Sequence, residues 1–227
     1  MELEKLTRRP IAARETRAAA AVATFLARAG LRPNAISVLS VVFAALAAGC
    51  LFAAGRTDGI LRVLLWLGAA GGIQLRLLAN LFDGMVAVEG GFRTKSGEIF
   101  NELPDRISDA LILAAGGYAV IGNSWSHELG WAAATLAVIT AYIRTLGAAC
   151  GTAQYFIGPM AKQQRMFLVT AACVGNAAFA AMRSSMPDLL PWALALIVGG
   201  CVVTIARRAA RIVHDLEAKQ SEGSSHD

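Results

Sequence analysis

Oxygen-bearing side chains are concentrated in one stretch of an otherwise apolar chain. Asn80 and Asp83 stand three positions apart, so both lie on one face of a helix. Asn101 and Asp105 stand four positions apart and share a face of the next helix in the same way. Carboxylate and amide oxygens suit Mg²⁺, Mn²⁺ or Ca²⁺, and Mg²⁺ often completes its shell with substrate phosphates. The spacing predicts a divalent-cation site where two neighbouring helices meet, with room for a nucleotide diphosphate.

Two neighbours of this cluster point to phosphate as well. Arg76 lies one turn before Asn80 on the same helix face, inside an apolar segment where an unpaired charge is costly. It either binds a diphosphate or offsets a carboxylate of the cluster. Gly84 lets a backbone or a ligand approach closely, because it has no side chain. Both residues are therefore candidates for substrate binding.

The same stretch resembles the CDP-alcohol phosphotransferase family. That family is marked by Asp-x2-Asp-Gly-x2-Ala-Arg-x8-Gly-x3-Asp-x3-Asp, and every spacing of this pattern is present here. The residue types agree at five of the eight positions, which are Asp83, Gly84, Ala87, Gly97 and Asp105. The segment 31–37 is similar to the usual start of the family's first membrane helix, and Tyr142-Ile143-Arg144 is similar to an element of its fourth.

Three positions depart from the family pattern, since Asn80 and Asn101 replace aspartates and Val88 replaces an arginine. In the family the four aspartates bind two divalent metals, and the last one activates the acceptor hydroxyl. The resemblance implies that Asp105 is the catalytic base. It also implies four metal ligands, which are Asp83, Asn80, Asn101 and Asp105.

The two asparagines lower the formal carboxylate charge at these four positions from −4 to −2. We therefore expect one Mg²⁺ or Mn²⁺ ion, or two weakly held ions. Glu98, Glu102 and Asp109 lie nearby and are candidates to supply the missing charge, although their spacing is off the pattern.

Further basic residues are candidates for substrate binding. Lys162 and Arg165 could hold a phosphate of the donor or acceptor, or could mark the cytoplasmic side and contact anionic lipid. Arg144 belongs to the element shared with the family's fourth helix, and the resemblance favours a functional role for it. The resemblance also assigns Gly84, Ala87 and Gly97 to the substrate site.

The composition indicates the kind of protein that positions these residues. Hydrophobic residues make up 56% of the chain and charged residues only 16%, against about a quarter in soluble domains. The apolar segments approach the roughly 20 residues that a membrane-spanning helix needs. We predict an all-α membrane protein with an N-terminal amphipathic interfacial helix, from Pro10 to Gly30, and six transmembrane helices. The six predicted segments are Ile36–Ala54, Ile60–Phe82, Ile107–Ile121, Leu129–Ala149, Met166–Met182 and Leu189–Ala206.

Basic residues set the predicted orientation and the domain boundaries. The chain has a net charge of +5, and its basic residues are concentrated before the first apolar segment, in alternate loops and after the last segment. By the positive-inside rule both termini are cytoplasmic, and we assign the chain to a cell inner membrane, with no need to invoke nucleic acid. The predicted parts are an interfacial helix at 1–32, a catalytic membrane domain at 33–208 and a cytoplasmic tail at 209–227.

The resemblance implies transfer of a phosphatidyl group from CDP-diacylglycerol to an alcohol acceptor, with release of CMP, by a homodimer among membrane lipids. Three alternatives stay open. A soluble CDP-alcohol could donate to a lipid acceptor, or the chain could be a catalytically inactive or lipid-binding relative. A small transporter built around Arg76 and Asp83 is disfavoured, because the polar residues collect on one side of the membrane. Metal-dependent CMP release separates the transferases from the inactive relative.

Overall fold

The computed structural model describes residues 16–91, 97–183 and 186–224, and the regular elements in these ranges are helices. The predicted all-α architecture is therefore confirmed. The seven helices are α1 (Arg17–Arg28), α2 (Pro33–Ala54), α3 (Gly59–Glu89), α4 (Gly97–Tyr118), α5 (Ser124–Ala149), α6 (Lys162–Ala181) and α7 (Leu190–Ser224).

Local sequence signals explain where the first helices begin and end. The Thr16 hydroxyl accepts a hydrogen bond of 3.3 Å from the Ala19 N–H and caps α1. Gly30, with a φ of +76°, turns the chain after α1, and Pro33 occupies the first turn of α2. The predicted interfacial helix began at Pro10, but residues before Thr16 lie outside the described ranges. Within the predicted stretch, α1 is the helical part that the structure describes.

Small residues let the helices approach one another closely. Helix α2 packs against α3 and α4, α4 packs against α5, α3 packs against α6, and α5 packs against α7. A Cβ atom built on Gly130 of α5 would lie 2.8 Å from the Cα atom of Gly117 in α4, so the two backbones touch. Such close contacts between glycines are typical of membrane helices, whose association depends on tight packing.

The structure supports a membrane protein. Four helices are long and apolar enough to cross a bilayer, and they cover Pro33–Ala54, Gly59–Val88, Trp125–Ala149 and Leu190–Gln220. Large apolar side chains such as Leu46, Leu64 and Leu196 are exposed on the outside of the bundle, where lipid would cover them. The other two predicted spans correspond to α4 and α6, which carry charged residues of the candidate site near their N-terminal ends.

Two helices extend well beyond the predicted apolar segments. Helix α3 continues for seven residues past Phe82, as far as Glu89, so Asp83 lies within the helix, as its spacing from Asn80 predicted. Helix α7 continues past Ala206 through the polar stretch to Ser224, so the region expected to form a tail from residue 209 is helical over most of its length. The apolar pattern marks the lipid-facing part of a helix and gives no signal where a helix continues into water.

Candidate metal and phosphate site

Three helices bring the predicted site residues to one end of the bundle. The C-terminal half of α3, the first turns of α4 and the first turn of α6 meet there. Residues 92–96, between α3 and α4, lie outside the described ranges. The polar side chains that converge at this end are Arg76, Asn80, Asp83, Asn101, Asp105, Asp109, Lys162 and Arg165.

Lys162 contacts two of the four predicted metal ligands, and one of these two contacts a third. Its Nζ atom donates a hydrogen bond of 2.5 Å to Asp105 Oδ2 and another to Asn80 Oδ1. The Nδ2 atom of Asn80 in turn lies 3.5 Å from Asn101 Oδ1, at the limit of a hydrogen bond. The sequence identified Lys162 as a phosphate-binding candidate but gave no sign that it contacts the predicted metal ligands, which lie 57 and 82 residues away in the chain.

Asp83 is the fourth predicted ligand, and one of its buried oxygens has no hydrogen-bond partner among the described residues. The side chain is buried, with 3% of its surface exposed. Its Oδ2 atom accepts a hydrogen bond of 2.7 Å from Ser37 Oγ, whereas Oδ1 has no hydrogen-bond partner among the described residues. A buried carboxylate oxygen without a partner is costly, so Oδ1 is a natural ligand for a cation. Ser37 was not predicted as a site residue, although it belongs to the family-like segment at the start of α2.

A buried network of arginines and aspartates lies directly beneath these ligands. Arg76 is fully buried and donates to Asp105 Oδ1 at 3.1 Å and to Asp109 Oδ1 at 2.7 Å. Arg165 donates to the other oxygen of Asp109, Oδ2, at 2.6 Å. The network ties α3, α4 and α6 together. It also answers one open question, because Arg76 offsets carboxylates here; its predicted contact with substrate stays a prediction.

The acidic residues expected to supply missing charge are engaged elsewhere. Both oxygens of Asp109 bind arginines, as described above. Both oxygens of Glu102 accept hydrogen bonds of 2.8 Å from Arg144, and Arg106 binds the same carboxylate. The side chain of Glu98 lies outside what the structure describes. Glu102 and Asp109 therefore neutralise arginines in this structure. Their carboxylates, which were candidates to supply charge to the metal, are engaged in these ion pairs.

Among the described carboxylates of the site, Asp83 keeps an oxygen that could ligate a divalent cation. Within the described ranges, no three His, Cys, Asp or Glu side chains converge as a metal cage. Asp83 is close enough to Asp105 and Lys162 to interact with both electrostatically. A cation at Asp83 Oδ1 would therefore draw on amide oxygens and substrate phosphates for its remaining ligands, which is how Mg²⁺ is commonly bound.

The remaining predicted residues lie around this centre. Gly84 and Ala87 are half-buried on α3 just beyond Asp83, and Gly97 is half-buried at the start of α4. Arg144 of α5 lies at the same end, where it donates to Gln154 at 3.0 Å besides its pair with Glu102. The structure thus brings every predicted site residue to one end of the bundle, and their individual roles stay predictions.

Comparison with known proteins identifies relatives of this arrangement. No family model matches the chain. A curated relative, the phosphatidylinositol phosphate synthase of Mycobacteroides abscessus, is 25% identical over 197 residues, which cover 82% of this chain and 80% of the relative.

Solved structures share the fold. The crystal structure of Mycobacterium tuberculosis phosphatidylinositol phosphate synthase with CDP-DAG bound has a TM-score of 0.70 and 20% identity, covering 87% of this chain and 94% of that one. The same enzyme in complex with manganese and citrate also gives 0.70 and 20%, covering 86% and 88%. At this identity the likeness establishes a common fold over nearly the whole of both chains.

Proposed function

The chain is a relative of the CDP-alcohol phosphotransferases, and we propose that it transfers a phosphatidyl group from CDP-diacylglycerol to an alcohol acceptor, releasing CMP. The observation that carries the proposal is the pairing of two carboxylates at family spacing. Asp83 presents an open oxygen, and Asp105 is held in place by Arg76 and Lys162. The names of the relatives support the choice of donor, because one neighbour of the same fold binds CDP-DAG and the curated relative is a phosphatidylinositol phosphate synthase.

Each protein group has a defined part in the proposed reaction. Asp83, with help from the amides of Asn80 and Asn101, would hold a divalent cation, Mg²⁺ or Mn²⁺, which would neutralise the donor diphosphate and polarise its phosphorus. Asp105 accepts the proton of the acceptor hydroxyl at Oδ2, the oxygen to which Lys162 also donates, while Arg76 holds Oδ1. The acceptor oxygen then forms a bond to the phosphorus of the phosphatidyl group. The bond from that phosphorus to the CMP oxygen breaks, and CMP leaves with the electron pair.

The membrane arrangement proposed with this function has six spans, α2 to α7. Helix α1 lies on α3 through Ala19 and Ala23, while Val22 and Phe25 are exposed on its other side. We place it along the cytoplasmic interface, where exposed apolar residues enter the lipid and arginines face the headgroups. An even number of spans returns both termini to the cytoplasm. The site then opens at the cytoplasmic face, where the phosphates of a CDP-linked lipid lie.

Domain boundaries and assembly complete the proposal. The interfacial part covers residues 1–32, the catalytic bundle covers 33–208, and residues 209–227 follow on the cytoplasmic side. The homodimer rests on the family resemblance alone. The acceptor is an alcohol of unassigned identity, and the basic pair Lys162 and Arg165 favours a phosphorylated one.

A second candidate function has one observation in its favour. Asn80 and Asn101 remove two carboxylates from the family pattern, and Lys162 binds Asp105 where a cation could otherwise lie. A catalytically inactive, lipid-binding relative would be free to make these changes. Retention of Asp83 with an open oxygen argues for an active enzyme, since a buried unpaired carboxylate is a cost without a ligand.

CMP release tests the proposal directly. The detergent-purified protein is incubated with CDP-diacylglycerol and a pool of alcohols, with Mn²⁺ or Mg²⁺ or with a chelator. We expect metal-dependent CMP release that falls at least about 10²-fold in Asp105→Asn, because proton transfer by a positioned base contributes about 10²–10⁴-fold. Asp58→Asn, the same change at an exposed cap of α3, serves as the matched control. A folded protein that releases no CMP from any CDP-linked donor would favour the inactive relative.

A further inference from the structure

Lys162 occupies the space between oxygen ligands that a metal ion would otherwise fill. Its ammonium donates to Asn80 Oδ1 and Asp105 Oδ2, two of the four positions predicted to bind metal. Lysine carries a compact charge with three donors, and two of them are used in these contacts. The third N–H is available for a phosphate oxygen of the donor. A fixed cation therefore already lies among these ligands before any ion binds.

The charges of the buried site point the same way. Three carboxylates, Asp83, Asp105 and Asp109, are matched by three cations, Arg76, Lys162 and Arg165. These described groups therefore sum to zero. One divalent ion is balanced by the donor diphosphate, which carries about −2, whereas a second ion would leave about +2 without a counter-charge at a buried site.

The two asparagines fit a monovalent cation better than a divalent one. The amide oxygen of Asn80 is neutral, so the Lys162 ammonium contacts one carboxylate, that of Asp105, which also accepts a hydrogen bond from Arg76. An aspartate at position 80 would place two carboxylates on one ammonium. Neutral amides at positions 80 and 101 are therefore compatible with a fixed ammonium at position 162.

We propose that Lys162 is a resident cation standing in place of a second metal ion, so that the chain binds a single divalent cation, at Asp83. The proposal rests on the proposed function, because that ion and the ammonium together would receive the diphosphate of a CDP-linked donor. It assigns Lys162 a role toward metal and donor, instead of the acceptor phosphate alone. In this role the side chain positions Asp105 Oδ2 and contacts the donor through its free N–H.

The number of bound ions tests the proposal without any turnover. Mn²⁺ is titrated into detergent-purified protein, and free Mn²⁺ is followed by its electron paramagnetic resonance signal. The expected result is one Mn²⁺ per chain. Two ions per chain of similar affinity, or no specific binding, would overturn the proposal.

Variants separate the stand-in role from a simple phosphate contact. The triple change Asn80→Asp, Asn101→Asp and Lys162→Ala restores four carboxylates and removes the ammonium, and it should bind two ions. Lys162→Ala alone should keep one ion and bind it about tenfold more tightly, because a nearby positive charge is lost. Lys219→Ala, which removes an exposed lysine on the Gly151 carbonyl, is the matched control and should leave Mn²⁺ binding unchanged.

The outcomes distinguish this proposal from the proposed function. One ion per chain without CMP release would support the proposed role of Lys162 and contradict the proposed transferase activity. CMP release with two ions per chain would support the transferase activity and contradict the proposed role of Lys162. If Lys162→Ala binds Mn²⁺ as the wild type does, or if the triple variant binds only one ion while eluting as a folded protein, Lys162 has no part in the metal site.

Discussion

Asp109 offers the sharpest test of how the site is held together. The side chain is buried, with 1% exposed, and each of its oxygens binds a different arginine, Arg76 at 2.7 Å and Arg165 at 2.6 Å. Asp109→Asn keeps the shape and one acceptor oxygen but removes the charge. Together with Lys162 and Asp83, the site is then left with three cations against two carboxylates, and we expect a large loss of stability.

The magnitude follows from the burial of the pair. Removing one partner of a buried ion pair costs about 3–5 kcal/mol, and we expect about 3 kcal/mol here because asparagine keeps one hydrogen bond. For a chain of this length, 1 kcal/mol shifts the Tm by about 2–4 °C, so the Tm should fall by roughly 6–12 °C. Asp58→Asn, an exposed site at the far end of α3, should change it little.

The chain carries its own probe for this measurement. Cys173 and Cys201 are free and buried, so once the exposed Cys150 and the half-buried Cys50 are replaced by alanine in every variant, a thiol-reactive fluorophore reports unfolding as the detergent-solubilised protein is heated. Arg165→Met should also lower the Tm, because it leaves Asp109 with one partner. The double variant should cost less than the sum of the single ones, by about 0.5–3 kcal/mol. If the effects of Asp109→Asn and Arg165→Met on stability were strictly additive, or if Asp109→Asn had the same Tm as Asp58→Asn, the buried network would not be what stabilises the site.

Two further predictions probe the metal ligand and the helix packing. Ser37→Ala removes the 2.7 Å hydrogen bond that orients Asp83, and we expect the Mn²⁺ concentration for half-maximal CMP release to rise about tenfold, since a hydrogen bond to a charged group contributes about 1.5–3 kcal/mol. Ser126→Ala, a buried serine at the start of α5, should leave that concentration unchanged. Gly117→Ala places a Cβ atom 2.6 Å from the Ser126 carbonyl oxygen, and overpacking should lower the free energy of unfolding by about 1–3 kcal/mol in the same thermal assay. Gly71→Ala, with open space around it, is the control, and equal effects of the two glycine changes would contradict the close approach.

Local patterns in the sequence were enough to predict the class of fold and the resemblance to a family. Apolar segments predicted an all-helical membrane protein, and this is confirmed. The motif spacing around Asp83 and Asp105 predicted the resemblance to CDP-alcohol phosphotransferases, which the curated relative and the shared fold confirm. Both signals are local, because helix periodicity and motif spacing are fixed within a few turns. The six spans, the interfacial helix, the orientation and the dimer stay predictions.

The partners of the charged residues could not be predicted, because they depend on contacts between distant helices. The sequence left open whether Arg76 binds substrate or a carboxylate, and only the packing of α3 on α4 shows it on Asp105 and Asp109. Lys162 reaches Asn80 across 82 residues, and no pattern near either residue signals this contact. Asp109 does not fit the family spacing. From the sequence it was a candidate to supply charge to the metal, and its contacts with the two arginines were not predicted.

The arrangement of charges gives a physical reason why the two asparagines are compatible with catalysis. A phosphoryl-transfer site needs positive charge opposite the diphosphate, and that charge must itself be balanced while the site is empty. With Lys162 and Arg76 on Asp105 and arginines on Asp109, the three described carboxylates of the site are matched by three cations, and among these carboxylates Asp83 keeps an oxygen without a hydrogen-bond partner. Extra carboxylates at positions 80 and 101 would then make the empty site anionic and oppose the donor. The neutral asparagines and the charged lysine are therefore compatible with each other. Changing only the asparagines to aspartate, or only Lys162 to alanine, should weaken donor binding more than making both changes together.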